Sequence, residues 1–94
     1  MVSREAVVTM RQVPIHELLN RIRWDPEFAR GDFQVGYFDR VEKRVIAVPF
    51  REISFPRDDL RAFRLVDAEG RIQRVPFHRV REVIKDGRRI WHRP

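Results

Sequence analysis

The chain has 94 residues, no cysteine and a formal net charge of +6, so it has room for one domain and cannot use disulfides or thiolate chemistry. Its longest apolar runs, such as residues 45–50, are far shorter than the roughly 20 residues of a membrane-spanning helix. Arg4 and Glu5 stand where a signal peptide would be hydrophobic, so we expect a cytoplasmic protein that contacts no membrane.

The first predicted element is a helix over residues 14–23. Its apolar residues recur at the i, i+3, i+4, i+7 spacing of one buried face, and they are Ile15, Leu18, Leu19 and Ile22. Pro14 suits the first helical position, and Asp25-Pro26 ends the pattern. We expect residues 13–94 to form one domain, and residues 1–12 to be a terminal tail or an edge strand.

The polar flank of this helix carries His16, Asn20 and Arg23, at spacings of four and three. Residues at these spacings form a single stripe. The stripe is either a solvated face or the flank of a ligand site.

From residue 33 the apolar period changes from 3.6 to two, which indicates strands. Strands are predicted over residues 33–37 and 44–50, and residues 51–62 read as a connection. A second hairpin is predicted from residues 63–67 and 71–76, and a third flanks Asp86-Gly87, a strong tight-turn signal. These elements predict an α+β fold, with one N-terminal helix packed on a curved, mainly antiparallel sheet of about six strands.

The register of the last hairpin is open. With a two-residue turn, Arg81 would face His92, and Arg81, Lys85, Arg88 and His92 would share one side of the ribbon. A three-residue bulged loop would shift the pairing by one residue. The adjacent apolar pair Ile90-Trp91 leaves both possible, because such a pair buries both faces.

The net charge is concentrated in the last quarter of the chain. Residues 71–94 hold eight Lys/Arg and two acids, whereas residues 1–70 hold twelve of each. Eighteen of the cations are arginine, which suits phosphate or nucleic acid but is also typical of a GC-rich genome. The candidate phosphate-binding residues of this segment are His78, Arg79, Arg81, Arg88, Arg89 and His92.

Three histidines without metal-ligand spacing give a poor metal signal, and we expect neither a metal ion nor a cofactor. A ribonuclease using His78 and His92 as acid and base is conceivable, because imidazole titrates near neutral pH. Trp24 and Trp91 are interpreted as core residues. Tyr37 and Phe38 could equally be packing residues or a platform for a base.

Three blocks of sequence resemble an archaeal family of small proteins, the RNA cyclic group end recognition domain. The blocks are PIHELLNRIRWD at 14–25, GYFDR at 36–40 and VPFHRVREV at 75–83, with Ile90-Trp91 near the end. The resemblance runs from about Pro14 to Arg93. It implies a module that recognises RNA ends bearing a 2′,3′-cyclic phosphate, and related domains are fused to RNA ligase-like or phosphoesterase-like enzymes.

Residues matching the family pattern include Tyr37, Asp39-Arg40 and 78–81, so the resemblance adds Tyr37 and Arg40 to the candidate end-binding residues. Asp39 and Arg40 could instead simply brace a turn. The leading hypothesis is a non-catalytic RNA-binding module for RNA termini, with an RNA ligase or phosphoesterase as possible partner. A protein–protein adaptor whose basic hairpin docks an acidic partner is the alternative, followed by the histidine-dependent ribonuclease.

Overall fold

The structure, a computed structural model, describes residues 13–93; the predicted tail or edge strand at residues 1–12 lies outside them. Within that range it contains one helix, six strands and two short 3-10 turns, which confirms the α+β prediction. In chain order the elements are α1 (Ile15–Trp24), β1 (Phe33–Asp39), β2 (Arg44–Pro49), a first 3-10 turn (Phe50–Glu52), β3 (Ala62–Val66), β4 (Ile72–Pro76), a second 3-10 turn (Phe77–Arg79), β5 (Val80–Lys85) and β6 (Arg88–His92).

Helix α1 forms as the apolar spacing predicts. Its four buried residues are those at the i, i+3, i+4, i+7 positions, Ile15, Leu18, Leu19 and Ile22. Pro14 is the capping residue rather than the first helical residue, and its carbonyl accepts hydrogen bonds from the N–H groups of Glu17 and Leu18. The helix ends at Trp24, with extended backbone at Asp25. In the part of the chain that the structure describes, no helix is long and apolar enough to cross a membrane.

The six strands form two sheets rather than one. Four of them follow the order β2-β1-β5-β6, and β3 and β4 form a separate antiparallel pair. All the pairings are antiparallel, and an isolated bridge joins Ser54 to Arg64. Strand β1 is central because it pairs with both its sequence neighbour β2 and the distant β5.

The core lies on one face of the four-stranded sheet. Val35, Tyr37, Val80 and Val83 define this inner face, and all four are buried. They pack with the apolar side of α1 and with Phe63, Leu65 and Val75 of the β3–β4 pair. The opposite, outer face carries alternating residues of β1, such as Gln34 and Phe38, which are only half-buried.

The last hairpin combines the two predicted registers. Its turn has two residues, with positive φ at Asp86 (52°) and Gly87 (83°), and Lys85 faces Arg88. The register then shifts, so that Val83 faces Trp91 and Glu82, rather than Arg81, faces His92. The shift lets the adjacent residues Ile90 and Trp91 both be buried.

This shift overturns the expectation that Arg81, Lys85, Arg88 and His92 share one side of the ribbon. Lys85 pairs with Phe33 and its Nζ lies 5.4 Å from the centre of that ring, so it belongs to the inner face. His92 pairs with Glu82, which pairs with Gly36, so it belongs to the outer face.

Candidate functional site

A groove lies between the polar flank of α1, the connection that follows β2 and the second 3-10 turn. It consists of two adjoining hollows of about 430 and 250 Å³, which share His16, Leu60 and Phe77. The remaining lining residues are Arg61 and His78 in the first hollow, and Asn20, Arg23, Phe55, Pro56 and Asp59 in the second. The helical stripe predicted as a possible ligand flank therefore lines the same groove as His78.

Backbone pairing fixes the walls of the groove. The connection is anchored by the buried side chain of Ile53 and by the hydrogen bond from the Ser54 N–H to the Arg64 carbonyl (2.8 Å). The Phe77 N–H donates to the Arg61 carbonyl (2.8 Å), which ties the connection to the second 3-10 turn. The Phe77 ring packs on the buried Phe63, with centroids 6.4 Å apart. The floor is thus apolar and attached to the core.

The rim of the groove is basic. The lining includes two arginines, Arg23 and Arg61, and two histidines. The only carboxylate among the lining residues is that of Asp59. The Asp59 oxygens accept hydrogen bonds from Nε (2.6 Å) and Nη2 (3.1 Å) of Arg74, which hold the pKa of this carboxyl below its usual range. Because Arg74 neutralises the acid, the groove keeps a positive balance that suits an anionic ligand.

Two arginines brace the second 3-10 turn from behind. Arg93 donates to the carbonyls of Phe77 (2.6 Å) and Val80 (2.8 Å), and Arg81 donates to the carbonyl of His78 (2.9 Å). Burial lowers the pKa of the Arg93 guanidinium, and the nearby charge of Arg81 lowers it further. Within residues 13–93 neither arginine forms an ion pair with a carboxylate. The side chains of both arginines therefore hold the backbone that carries His78 in place.

Comparison with known protein families places the chain in one of them. The family model described as MJ1316 RNA cyclic group end recognition domain matches residues 10–93. The chain belongs to this family. No solved structure matches it. The match confirms the resemblance inferred from the sequence, and the family description names a recognition domain for RNA ends.

In this member of the end recognition family, the candidate residues do not form one pocket. His78 lines the groove with His16, Asn20 and Arg23. Arg81 reaches the outer face, where its guanidinium lies 5.8 Å from the centre of the Phe38 ring. Arg79 is half-buried at the end of the second 3-10 turn.

The two exposed arginines of the last hairpin lie at the far end of the sheet from His78. Val80 pairs with Tyr37, whereas Lys85, next to the turn, pairs with Phe33. Four residues of β1 separate these pairs by about 13 Å. Arg89 forms an ion pair with Glu82 (3.7 Å), while Arg88 remains exposed.

Tyr37 and Arg40 occupy a different environment from the groove. Tyr37 is only 4% exposed and packs edge-on against Phe63, so it is a core residue. Burial raises the pKa of its hydroxyl, and the charges of Asp39 and Asp67 raise it further. Tyr37 lines a cleft of about 520 Å³ with four acids, Asp39, Glu42, Asp67 and Glu69, against the two cations Arg44 and Arg71. With four acids against two cations, this cleft suits phosphate less well than the groove does.

The turn after β1 is braced by Asp39, as the simpler interpretation of that motif held. The buried carboxylate accepts hydrogen bonds from the N–H groups of Val41 (2.8 Å) and Glu42 (2.9 Å). Arg40 is exposed on this turn. The motif therefore has a structural role in Asp39.

Several lining residues of the groove were not predicted from the sequence. Phe55, Leu60 and Arg61 belong to a segment interpreted only as a connection, and Phe77 was not singled out. Trp24, interpreted as a core residue, is 71% exposed, whereas Trp91 is 3% exposed, as predicted. Among residues 13–93 no cluster of three or more His, Cys, Asp or Glu side chains could hold a metal ion.

Proposed function

We propose that this protein is a non-catalytic RNA-binding module that recognises RNA termini, and that the groove receives a terminal nucleotide with a 2′,3′-cyclic phosphate. The observation that carries the proposal is the convergence of His16 and His78, from distant parts of the chain, on one basic hollow with an apolar floor. Its family membership supports the same function.

The three common RNA ends differ in charge and in shape. A cyclic phosphate carries one negative charge on a rigid ring, an opened monoester carries up to two, and a hydroxyl end carries none. A site based on charge alone would prefer the monoester. Preference for the cyclic form requires shape and suitably placed donors, which His78 on its braced turn, His16 and the apolar Phe77 can supply.

The test is a titration of one short single-stranded RNA carrying each of the three ends, at fixed salt. We expect the cyclic end to bind most tightly, and His78→Ala to weaken that complex about tenfold with little effect on the hydroxyl end. Equal affinity for the three ends would refute recognition of the terminus.

A matched pair of arginine variants tests whether the groove is the contact surface. Arg61→Ala should lower the salt dependence of binding by about 0.7 in log–log slope, the value for one phosphate contact on a single strand. Arg51→Ala removes the same charge from an exposed arginine that lines a separate cavity beside Ile22 and Phe33. It should leave the slope unchanged, and equal effects of the two variants would place the RNA elsewhere.

A second candidate is a weak ribonuclease, because His16 and His78 lie in one hollow and could act as acid and base. The pair suggested by the sequence, His78 and His92, is less suited, because His92 belongs to the outer face. Cleavage of RNA by the purified protein, lost in His16→Ala, would favour the enzyme over the binding module.

Two features of its setting complete the proposal. We infer a cytoplasmic location, and a place beside an RNA ligase or phosphoesterase that acts on the recognised end. The fusion of related domains to such enzymes supports the second inference. Purification of the tagged protein with and without RNase would test the second inference. Such an enzyme should copurify with it, and its absence from both preparations would contradict the inference.

A further inference from the structure

An exposed tryptophan extends the groove beyond the first hollow, the one lined by His16 and His78, where the terminal nucleotide is proposed to bind (the terminal hollow). Trp24 is the last residue of α1, and 71% of its surface is accessible. A lone exposed apolar residue needs no explanation, but a tryptophan loses much favourable burial when it remains in water. Trp24 follows directly on Arg23, which lines the second hollow.

Arg23 is held between two aromatic rings. Its Cζ lies 4.7 Å from the centre of the Trp24 ring and 4.4 Å from that of Phe55. In residues 13–93 it forms no ion pair, and its one side-chain hydrogen bond, to Asn20, is long (3.5 Å). The stack orients the guanidinium while leaving its N–H groups available to an acceptor.

Alternating aromatic faces and arginines are how proteins bind single-stranded nucleic acid without reading its sequence. Each base stacks on a ring, and the cations between the rings contact the backbone phosphates. We propose that Trp24 stacks a base upstream of the bound terminus and that Arg23 contacts a phosphate between them. This inference rests on the proposed function, because the polarity of the strand is set by the end at His78.

The geometry of α1 gives the position of that base. His16, in the terminal hollow, and Trp24 are eight residues apart, which is about 12 Å along a helix. A stacked strand advances about 3.4 Å per nucleotide, so this length accommodates about three steps. Three steps from the terminal nucleotide reach the fourth, so the ligand is a single-stranded end of at least about four nucleotides.

The intrinsic fluorescence of the protein reports on this contact. The chain has two tryptophans, and Trp91 is buried, with its Nε1–H donating to the Val13 carbonyl (2.7 Å). We therefore expect oligonucleotides with a common 3′ end to quench the emission only when they contain about four or more nucleotides. In Trp24→Phe the quenching should be absent, although labelled RNA still binds with an affinity within about threefold of the wild type.

Length-dependent affinity provides a second measurement. Trp24→Ala should weaken binding of a six-nucleotide RNA about tenfold and leave a dinucleotide with the same end unaffected. Saturating RNA without quenching, or an equal loss for both lengths, would overturn the stacking role. Quenching by RNA with no preference among the three ends would instead refute the proposed end recognition and leave the stacking role intact.

Discussion

Arg93 offers the sharpest test of how the groove is held in shape. Its guanidinium donates to two carbonyls, those of Phe77 and Val80, on either side of the turn that carries His78. Hydrogen bonds from a charged donor contribute about 1.5–3 kcal/mol each. Partial desolvation of Arg93 and repulsion from Arg81 offset part of that sum. We therefore expect Arg93→Ala to lower the free energy of unfolding by about 2–4 kcal/mol.

Urea denaturation followed by circular dichroism measures this change, with two variants as controls. Arg93→Lys keeps the charge, but a single ammonium replaces the planar fork that serves both carbonyls, so about half the loss should remain. Arg81→Ala removes one such hydrogen bond, to the His78 carbonyl, but also relieves the repulsion between Arg81 and Arg93, so it should cost only about 1 kcal/mol. In a thermal scan the Arg93→Ala loss corresponds to a fall in Tm of about 10–25 °C for a domain of this size.

Three outcomes would contradict this reasoning. Arg93→Ala could unfold within about 0.5 kcal/mol of the wild type, the range typical of surface substitutions. Arg93→Lys could match the wild type, in which case the charge alone would suffice. Folded Arg93→Lys could also bind the cyclic end as tightly as the wild type, and the turn would then not need the brace to position His78.

Three further predictions concern acid stability, the two tryptophans and the last hairpin. The pKa of Asp59 is lower in the folded chain than its unfolded value of 3.8. The stability that its carboxylate contributes is therefore complete above that pH and is lost as the pH falls through the folded pKa. Tm should fall less steeply in acid for Asp59→Asn than for the wild type. Trp91→Ala should cost about 3–5 kcal/mol and Trp24→Ala less than about 0.5 kcal/mol in urea denaturation, and similar costs would contradict the difference in burial. If Arg88 and Arg89 contact RNA, the double alanine variant should lower the salt slope by about 0.7 per lost phosphate contact, and an unchanged slope would exclude the hairpin from the interface.

Local patterns predicted the elements of this fold because each depends on neighbouring residues. The spacing of Ile15, Leu18, Leu19 and Ile22 located α1, and Asp86-Gly87 located the last turn. The helical spacing also indicates whether Trp24 is buried or exposed. At 100° per residue, position 24 lies about 80° around the helix from His16 and almost opposite the buried Ile15 and Ile22. Residue type suggested burial, but the helical period indicates exposure.

The groove could not be predicted because it depends on contacts between distant segments. His78 lines the same hollow as His16. The Phe77 N–H pairs with the Arg61 carbonyl, and this bond places the second 3-10 turn beside the connection. The separation of β3 and β4 into their own sheet also depends on contacts between distant segments, so the hairpin patterns did not predict it. The register of the last hairpin combines the two alternatives that the sequence left open, and the shift before Trp91 lets both Ile90 and Trp91 be buried.

The pairing of β1 with β5 determines when this protein can finish folding. Phe33 pairs with Lys85, more than fifty residues later in the chain. The hairpins can close within microseconds, but joining β1 to β5 requires closing that long loop first, which slows folding. During synthesis one edge of β1 stays unpaired until residues 80–85 have emerged, and such an edge can pair with another chain. A chain truncated before Val80 should therefore aggregate rather than fold.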